Sequence, residues 1–170
     1  MKVAHHPSLS PQNLTVALWF KAASFDNSNW NTTLLNKERH ERTDGYYGMA
    51  LTTNGKPMAL LNIGGGSENA YSVASYPLNT GEWYHLAFTY DSHVLKLYVN
   101  GSLVKMQTIG KPRSRNTGNL FLGRRGDGGY FFNGVLDDVR LYRRALTSAE
   151  ISDLAALQSG SPGTSNAAHK

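Results

Sequence analysis

GEWYHLAFTYDSHVLKLYVNGSLV, residues 81–104, decides the fold. Its first half alternates Tyr84, Leu86, Phe88 and Tyr90 with Trp83, His85, Ala87 and Thr89, the period of two that a strand requires. Both sets contain large or apolar residues, so both faces of this strand are expected to be covered, as inside a sandwich. Its second half folds back on Asn100-Gly101, the dipeptide favoured where two successive residues need positive φ in a type I′ turn. A two-residue turn there pairs Val99 with Ser102, Tyr98 with Leu103, Leu97 with Val104 and Lys96 with Lys105. The two facing lysines require a surface that is solvated or meets something acidic.

The same alternation extends outward. Upstream, NLTVALWFKA sets Leu14, Val16, Leu18 and Phe20 against Thr15, Ala17, Trp19 and Lys21. After the polar SFDNSNWNTT come TLLNKE, then YYGMALTT between the Asp44-Gly45 and Asn54-Gly55 turns, then MALLNI and YSVASY. Downstream, GNLFLGRR and FFNGVLDDVRLY read as strands, the second with Val135, Asp137, Val139 and Leu141 on one face. Thr147 then starts a helix over about 148–157, with Glu150 completing a capping box and Leu146 and Ile151 forming a hydrophobic staple. Residues 1–157 read as one all-β domain. Residues 158–170, QSGSPGTSNAAHK, carry too little apolar surface to order themselves and read as a flexible tail.

Composition narrows the function. No apolar run is long enough for a membrane span, and residues 1–30 lack a basic-then-apolar export signal. The chain contains no cysteine, which removes disulfides, thiolate ligands and cysteine nucleophiles. The net charge of +5 is concentrated between Lys111 and Arg144, where eight basic residues face three acidic ones. Without a basic helix or an RNA-binding signature this is read as solvated surface, and no nucleic-acid partner is expected.

Taken in order, NLTVALWFK, GYYGMAL, NGKPMALL, GEWYHLAFTYD...LKLYVNG, LFLGRR and GVLDDVRLYRRALTSAEI resemble the laminin-G-like jelly-roll family of the concanavalin A-like lectin/glucanase superfamily. The resemblance covers about residues 8–157. It implies a jelly-roll sandwich of two antiparallel sheets with a short C-terminal helix, one sheet often presenting a ligand surface. It also implies an extracellular or cell-surface setting. Family members usually begin with a strand resembling FDGVDDYV, where this chain has only MKVAHH, so the first strand is expected to be missing, shortened or supplied from elsewhere.

The resemblance further implies a structural calcium near the paired aspartates of the last strand, with Asp137 and Asp138 as its ligands. Calcium needs six to eight oxygens, and the family's usual N-terminal acids are absent here. The competing reading is that Asp137 is a buried carboxylate satisfied by backbone N–H groups or an arginine. Catalysis is not expected. A retaining glucanase needs two carboxylates about 5 Å apart, and no strand here supplies the pair. The histidines show no metal-ligand spacing. Arg125-Gly126-Asp127 is treated as a chance tripeptide, and Asn13, Asn31 and Asn100 head glycosylation sequons.

Sugars are held by aromatic rings stacked on pyranose faces and by amides or arginines that reach hydroxyls. Trp30, Tyr46, Tyr71 and Tyr130 are the aromatic candidates, with Arg39, Asn62, Arg124 and Arg125 as polar partners. Trp30 and Tyr130 stand out because nothing periodic requires them to be apolar. The expected function is a non-catalytic module that binds glycan, or an extracellular protein, through loops and one sheet. The alternative is an assembly module that forms homo-oligomers through an exposed sheet edge.

Overall fold

The computed structural model describes residues 1–25, 31–37, 45–64 and 69–157. Eleven strands and one helix follow in order: β1 (Lys2–Val3), β2 (Leu14–Ala22), β3 (Asn31–Lys37), β4 (Tyr47–Thr52), β5 (Pro57–Asn62), β6 (Asn69–Val73), β7 (Trp83–Tyr90), β8 (Val94–Val99), β9 (Ser102–Thr108), β10 (Leu120–Leu122), β11 (Gly134–Tyr142) and α1 (Ser148–Ala156). They form a six-stranded sheet, β1-β10-β3-β4-β5-β6, and a five-stranded sheet, β11-β2-β7-β8-β9, in which every pairing is antiparallel. The tail from 158 onward lies outside the described residues.

The alternating residues read from the sequence build the space between the sheets. Leu14, Val16, Leu18, Phe20, Leu86, Phe88 and Tyr90 from one sheet meet Tyr47, Met49, Leu51, Ala59 and Leu61 from the other, all fully buried. Burying a large apolar side chain contributes about 1.5–3 kcal/mol, so this double layer is the main source of stability. The second face of β7 is covered as well. Ala17 on β2 and Ala87 on β7 are small enough to let α1 approach, and Leu146, Ile151 and Leu154 close over them beside Tyr98. Thr147 and Glu150 complete the capping box that starts this helix.

Asn100 and Gly101 have φ of 48° and 79°, as a type I′ turn demands. The register beyond the turn departs from the simple ladder: Tyr98 faces Leu103, but Leu97 faces Lys105 and Lys96 faces Met106. A bulge at Val104 accounts for the shift. It turns Val104 toward the core and removes Lys105 from opposite Lys96, relieving the repulsion that a regular ladder would impose on an edge strand. Asn100 also does more than turn the chain: its Oδ1 accepts the His85 N–H at 2.9 Å, joining the hairpin tip to the start of β7.

The first strand is shortened to Lys2–Val3, which pair with Phe121 and Leu120 at the edge of the six-stranded sheet. The rest of the N-terminal segment is tied down by polar contacts. The His5 N–H donates to Asn119 Oδ1 at 3.1 Å, and buried Lys37 sends its Nζ to Asn116 Oδ1 at 3.0 Å, to the Gly118 carbonyl and to His5 Nδ1. Burial and the neighbouring Lys37 hold the His5 pKa below its ordinary value, which suits an imidazole receiving a hydrogen bond.

Candidate functional site

The outer face of the six-stranded sheet is built by register. One row crosses all six strands: Lys2, Phe121, Asn36, Gly48, Leu60 and Tyr71 are successive cross-strand partners. A second row places Thr33 beside Ala50, Met58 and Val73. Tyr46, Ala50, Met58 and Leu60 pack as an apolar patch separate from the main core. Gly48 lies in the middle because a Cβ there would stand 2.8 Å from the Leu35 carbonyl oxygen. The centre of the face is therefore low and apolar.

The segment between β10 and β11 lies over one side of this face. Gly123 N–H donates to the Leu34 carbonyl and Thr33 N–H to the Tyr130 carbonyl, both at 2.9 Å, pinning the segment to β3 at two points. Tyr130 sits at φ 60°, a left-handed conformation costly for an aromatic residue and held here by those bonds. The Arg125 guanidinium lies 4.0 Å from the Tyr130 ring centroid and pairs with Asp127. Arg124 stacks 4.8 Å over Phe121. Arg125 also lines a narrow cleft with Asn31, Thr33, Asn36, Tyr46, Ala50 and Leu60. Its Nε is buried there without a hydrogen-bond partner among the described residues.

Of the candidates read from the sequence, Tyr46, Tyr71, Arg124, Arg125 and Tyr130 come to this one face, from segments up to 84 positions apart. Trp30 and Arg39 lie outside the described residues. Two positions differ from expectation. Tyr46 is only 2 % exposed and forms floor rather than rim. Asn62 is fully buried, with Oδ1 accepting the Gly45 N–H at 2.7 Å and Nδ2 donating to Asn69 Oδ1 at 3.1 Å. Its amide holds the backbone behind the site and is not presented to a ligand. Phe121 and Asn36 were not among the candidates, although alternation in Leu120-Phe121-Leu122 already turns Phe121 away from the core.

The Arg125-Gly126-Asp127 tripeptide has its two charges engaged with each other, and the arginine side chain is only 17 % exposed. Asn31 is 2 % exposed inside β3, so its sequon is closed in the folded chain.

The paired aspartates turn to different local partners. β11 carries an irregularity between Asp137 and Arg140, with Asp138 at φ 46°. The extra residue shifts the strand's alternation, so Leu136, Val139 and Leu141 face the core and Val135 and Asp137 are exposed, contrary to the face expected from a regular strand. Asp137 Oδ1 accepts the Asp138 N–H, and Asp138 Oδ1 accepts from Arg140 Nε at 2.7 Å. The arginine partner weighed for Asp137 thus belongs to Asp138. Among the described residues no three acidic, histidine or cysteine side chains cluster as metal ligands, so this pair alone does not fit calcium's oxygen count.

The same bulge brings Asp138 and Arg140 near His85, which is 2 % exposed on the other side of β2. Burial pushes the His85 pKa down to about 4; Asp138 opposes the shift and Arg140 adds to it. The folded value lies below the ordinary 6.5, so this contribution to stability is complete above pH 6.5 and is lost as pH falls through 4. Between pH 7.5 and 4.5 the native protein is expected to lose about 2–3 kcal/mol more than His85→Gln. Chemical denaturation of the two proteins at both pH values measures the difference. Equal losses would show that His85 does not contribute to acid sensitivity.

These sheets and their covering helix define a concanavalin A-like sandwich. The family profile described as the concanavalin A-like lectin/glucanases superfamily, Laminin G 3, matches residues 1–152, and the chain belongs to that family. The fold is shared with domain 4 of AbnA, an extracellular GH43 arabinanase of Geobacillus stearothermophilus solved in complex with arabinotriose. That match has 24 % identity and a TM-score of 0.73, and covers 91 % of this chain and 71 % of that one. The CBM40 of a Ruminococcus gnavus IT-sialidase, bound to α2,3-sialyllactose, also has a TM-score of 0.73, at 16 % identity over 91 % of this chain and 95 % of that one. By sequence the chain is 24 % identical over 149 residues to adhesion G-protein coupled receptor V1 of Danio rerio, covering 84 % of this chain and 2 % of the receptor. No helix among the described residues is long and apolar enough to cross a membrane.

Proposed function

We propose that the domain is a non-catalytic carbohydrate-binding module that takes glycan on the outer face of the six-stranded sheet, between Tyr71 and the segment carrying Arg125 and Tyr130. The observation that carries this reading is the Arg125 Nε, buried without a partner among the described residues, in a cleft lined by Leu60, whose cross-strand neighbour Tyr71 is partly exposed. A buried donor without a partner costs about 1–3 kcal/mol, and a sugar hydroxyl in the cleft supplies the missing acceptor. Tyr71, 38 % exposed and beside Leu60, offers a ring face for a pyranose. The sugars held by the arabinanase domain and the sialidase CBM40 support the class of ligand. An extracellular or cell-surface setting accords with such a role.

Glycan-array screening followed by calorimetry tests this reading. Tyr71→Ala and Arg125→Ala are each expected to weaken binding of the best array ligand about 10- to 100-fold, at 1.4 kcal/mol per tenfold. A native protein that ignores every glycan would sink the proposal, as would variants that bind as the native protein does. A second reading, assembly through a sheet edge, draws on exposed Val135 and Phe131 beside the free side of β11. The left-handed Asp138 interrupts that edge after four regular pairs, which favours the first reading. Size-exclusion chromatography separates them: a stable oligomer lost in Val135→Lys would favour assembly.

A further inference from the structure

The outer face of the five-stranded sheet carries a groove with chemistry of its own, away from the proposed glycan face. It encloses about 380 Å³ between Trp19, Trp83, Asn100 and the Ser152, Ala155 and Ala156 side of α1. Its floor follows from register. Lys21 faces Trp83 and Trp19 faces His85 across β2 and β7, so the two indoles are diagonal neighbours on one surface. Trp83 is 43 % exposed. The two alanines leave the helix side of the groove open. Gly101 lets α1 sit close to the hairpin tip, since a Cβ there would stand 3.1 Å from Ser152 Cα.

Three features point to a ligand for this groove. Trp83 offers an indole face to solvent beside its diagonal neighbour Trp19, an aromatic surface on which a sugar ring can stack. Asn100 is exposed and has its Oδ1 committed to the His85 N–H, which leaves the amide nitrogen as its remaining donor, and the exposed Ser152 hydroxyl lines the same groove. Trp19 Nε1 is buried without a hydrogen-bond partner among the described residues, and so is Nδ1 of His85, whose ring lies 5.5 Å from the Trp19 ring. Among the described residues no charged side chain lines the groove itself, and Lys21 stands beyond Trp83 on the same surface. An apolar peptide would leave the amide and hydroxyl unpaired, and an anion would find no cation within the described lining of the groove. A neutral pyranose offers hydroxyls to the amide, the Ser152 hydroxyl and the Trp19 N–H, and an apolar ring face to Trp83.

We infer that this groove is a second carbohydrate subsite, for a neutral hexopyranose, in which the sugar stacks on Trp83 while its hydroxyls meet Asn100 Nδ2, the Ser152 hydroxyl and the Trp19 indole N–H. The Trp19 N–H is buried beneath the groove, so a hydroxyl reaches it through a small outward turn of the indole. The subsite stands independently of the glycan face on the other sheet.

The test uses the bacterially produced 170-residue chain, so that the Asn100 sequon stays unmodified, with ¹⁵N-labelled tryptophan. The chain has three tryptophans and therefore three indole N–H signals. Methyl β-D-glucopyranoside and methyl β-D-galactopyranoside, titrated to about 100 mM, are expected to shift the Trp19 and Trp83 signals together for at least one sugar, with a dissociation constant of about 1–10 mM. Trp83→Ala, and Ser152→Phe, which fills the groove from the exposed side of the helix, are expected to remove the Trp19 shift. Tyr71→Ala is expected to leave it intact even where it abolishes binding on the other face. Silence of both indoles with both sugars, or a Trp19 shift unchanged in Trp83→Ala and Ser152→Phe, would overturn the subsite.

Discussion

Gly45→Ala is expected to destabilise the domain by about 4 kcal/mol, lowering the thermal midpoint by about 8–16 °C. Two costs combine. Gly45 sits at φ +78°, where a Cβ alone costs about 1 kcal/mol. That Cβ would also stand 2.4 Å from the Ser114 carbonyl oxygen and 2.8 Å from the Arg115 carbonyl carbon, and backbone cannot swing aside as a side chain can. The displaced peptide holds two further bonds: its N–H donates to Asn62 Oδ1 and its carbonyl accepts from Arg113. Gly81→Ala isolates the first cost. Gly81 has nearly the same φ, +79°, with nothing within 4 Å of the added methyl, so it should lose only about 1 kcal/mol. Thermal melts of both variants decide the matter, and equal losses would place the whole effect in φ.

That contrast shows which parts of the fold were legible in the sequence. Asp44-Gly45 and Asn100-Gly101 both read as turns because positive φ is a local property, and the structure gives both glycines positive φ. The partners of Gly45 are not local. Asn62 is 17 residues away and Arg113 is 68, and no periodicity links them. For the same reason Asn62 looked like a polar residue available to a sugar, when its amide was already committed inside the fold. Alternation likewise identified the inner residues of β2 and β7 but failed on β9 and β11. One extra residue at Val104, or at the Asp137–Asp138 bulge, reverses every side chain beyond it. The candidate site was legible as residue types: aromatic, amide and arginine. Its assembly depends on the row Phe121, Asn36, Gly48, Leu60, Tyr71, set by pairings between strands distant in the chain. The groove beside α1 was less visible still, since Trp83 and Ser152 meet only because the helix lies over the Asn100-Gly101 turn.

Arg113→Ala should have an effect similar to Gly45→Ala, from the opposite side of the same junction. The Arg113 side chain is 3 % exposed, donates to the carbonyls of Pro11 and Gly45, and lies 5.1 Å from the centroid of the Tyr47 ring. Burial pulls its pKa down to about 10, so the guanidinium stays charged at neutral pH despite the cost of desolvation. Removing it saves that cost but strands two buried carbonyls, at about 1–3 kcal/mol each, and leaves a void against Tyr47. The expected net loss is about 3–5 kcal/mol. Arg113→Met fills most of the void without restoring either hydrogen bond, and should recover about 1 kcal/mol of the loss. Because both substitutions break the contact between Arg113 and the Gly45 carbonyl, the Gly45→Ala, Arg113→Met double variant should be less destabilised than the sum by at least about 1 kcal/mol. The junction also reaches the face proposed to take glycan, through Gly45 to Asn62 and from the Asn62 N–H to the Tyr46 carbonyl at 2.9 Å. Arg113→Met should therefore weaken glycan binding at temperatures well below its own melting midpoint while leaving the Trp19 and Trp83 indole signals at their native positions. Full-strength binding combined with lowered stability would confine the junction to holding the fold.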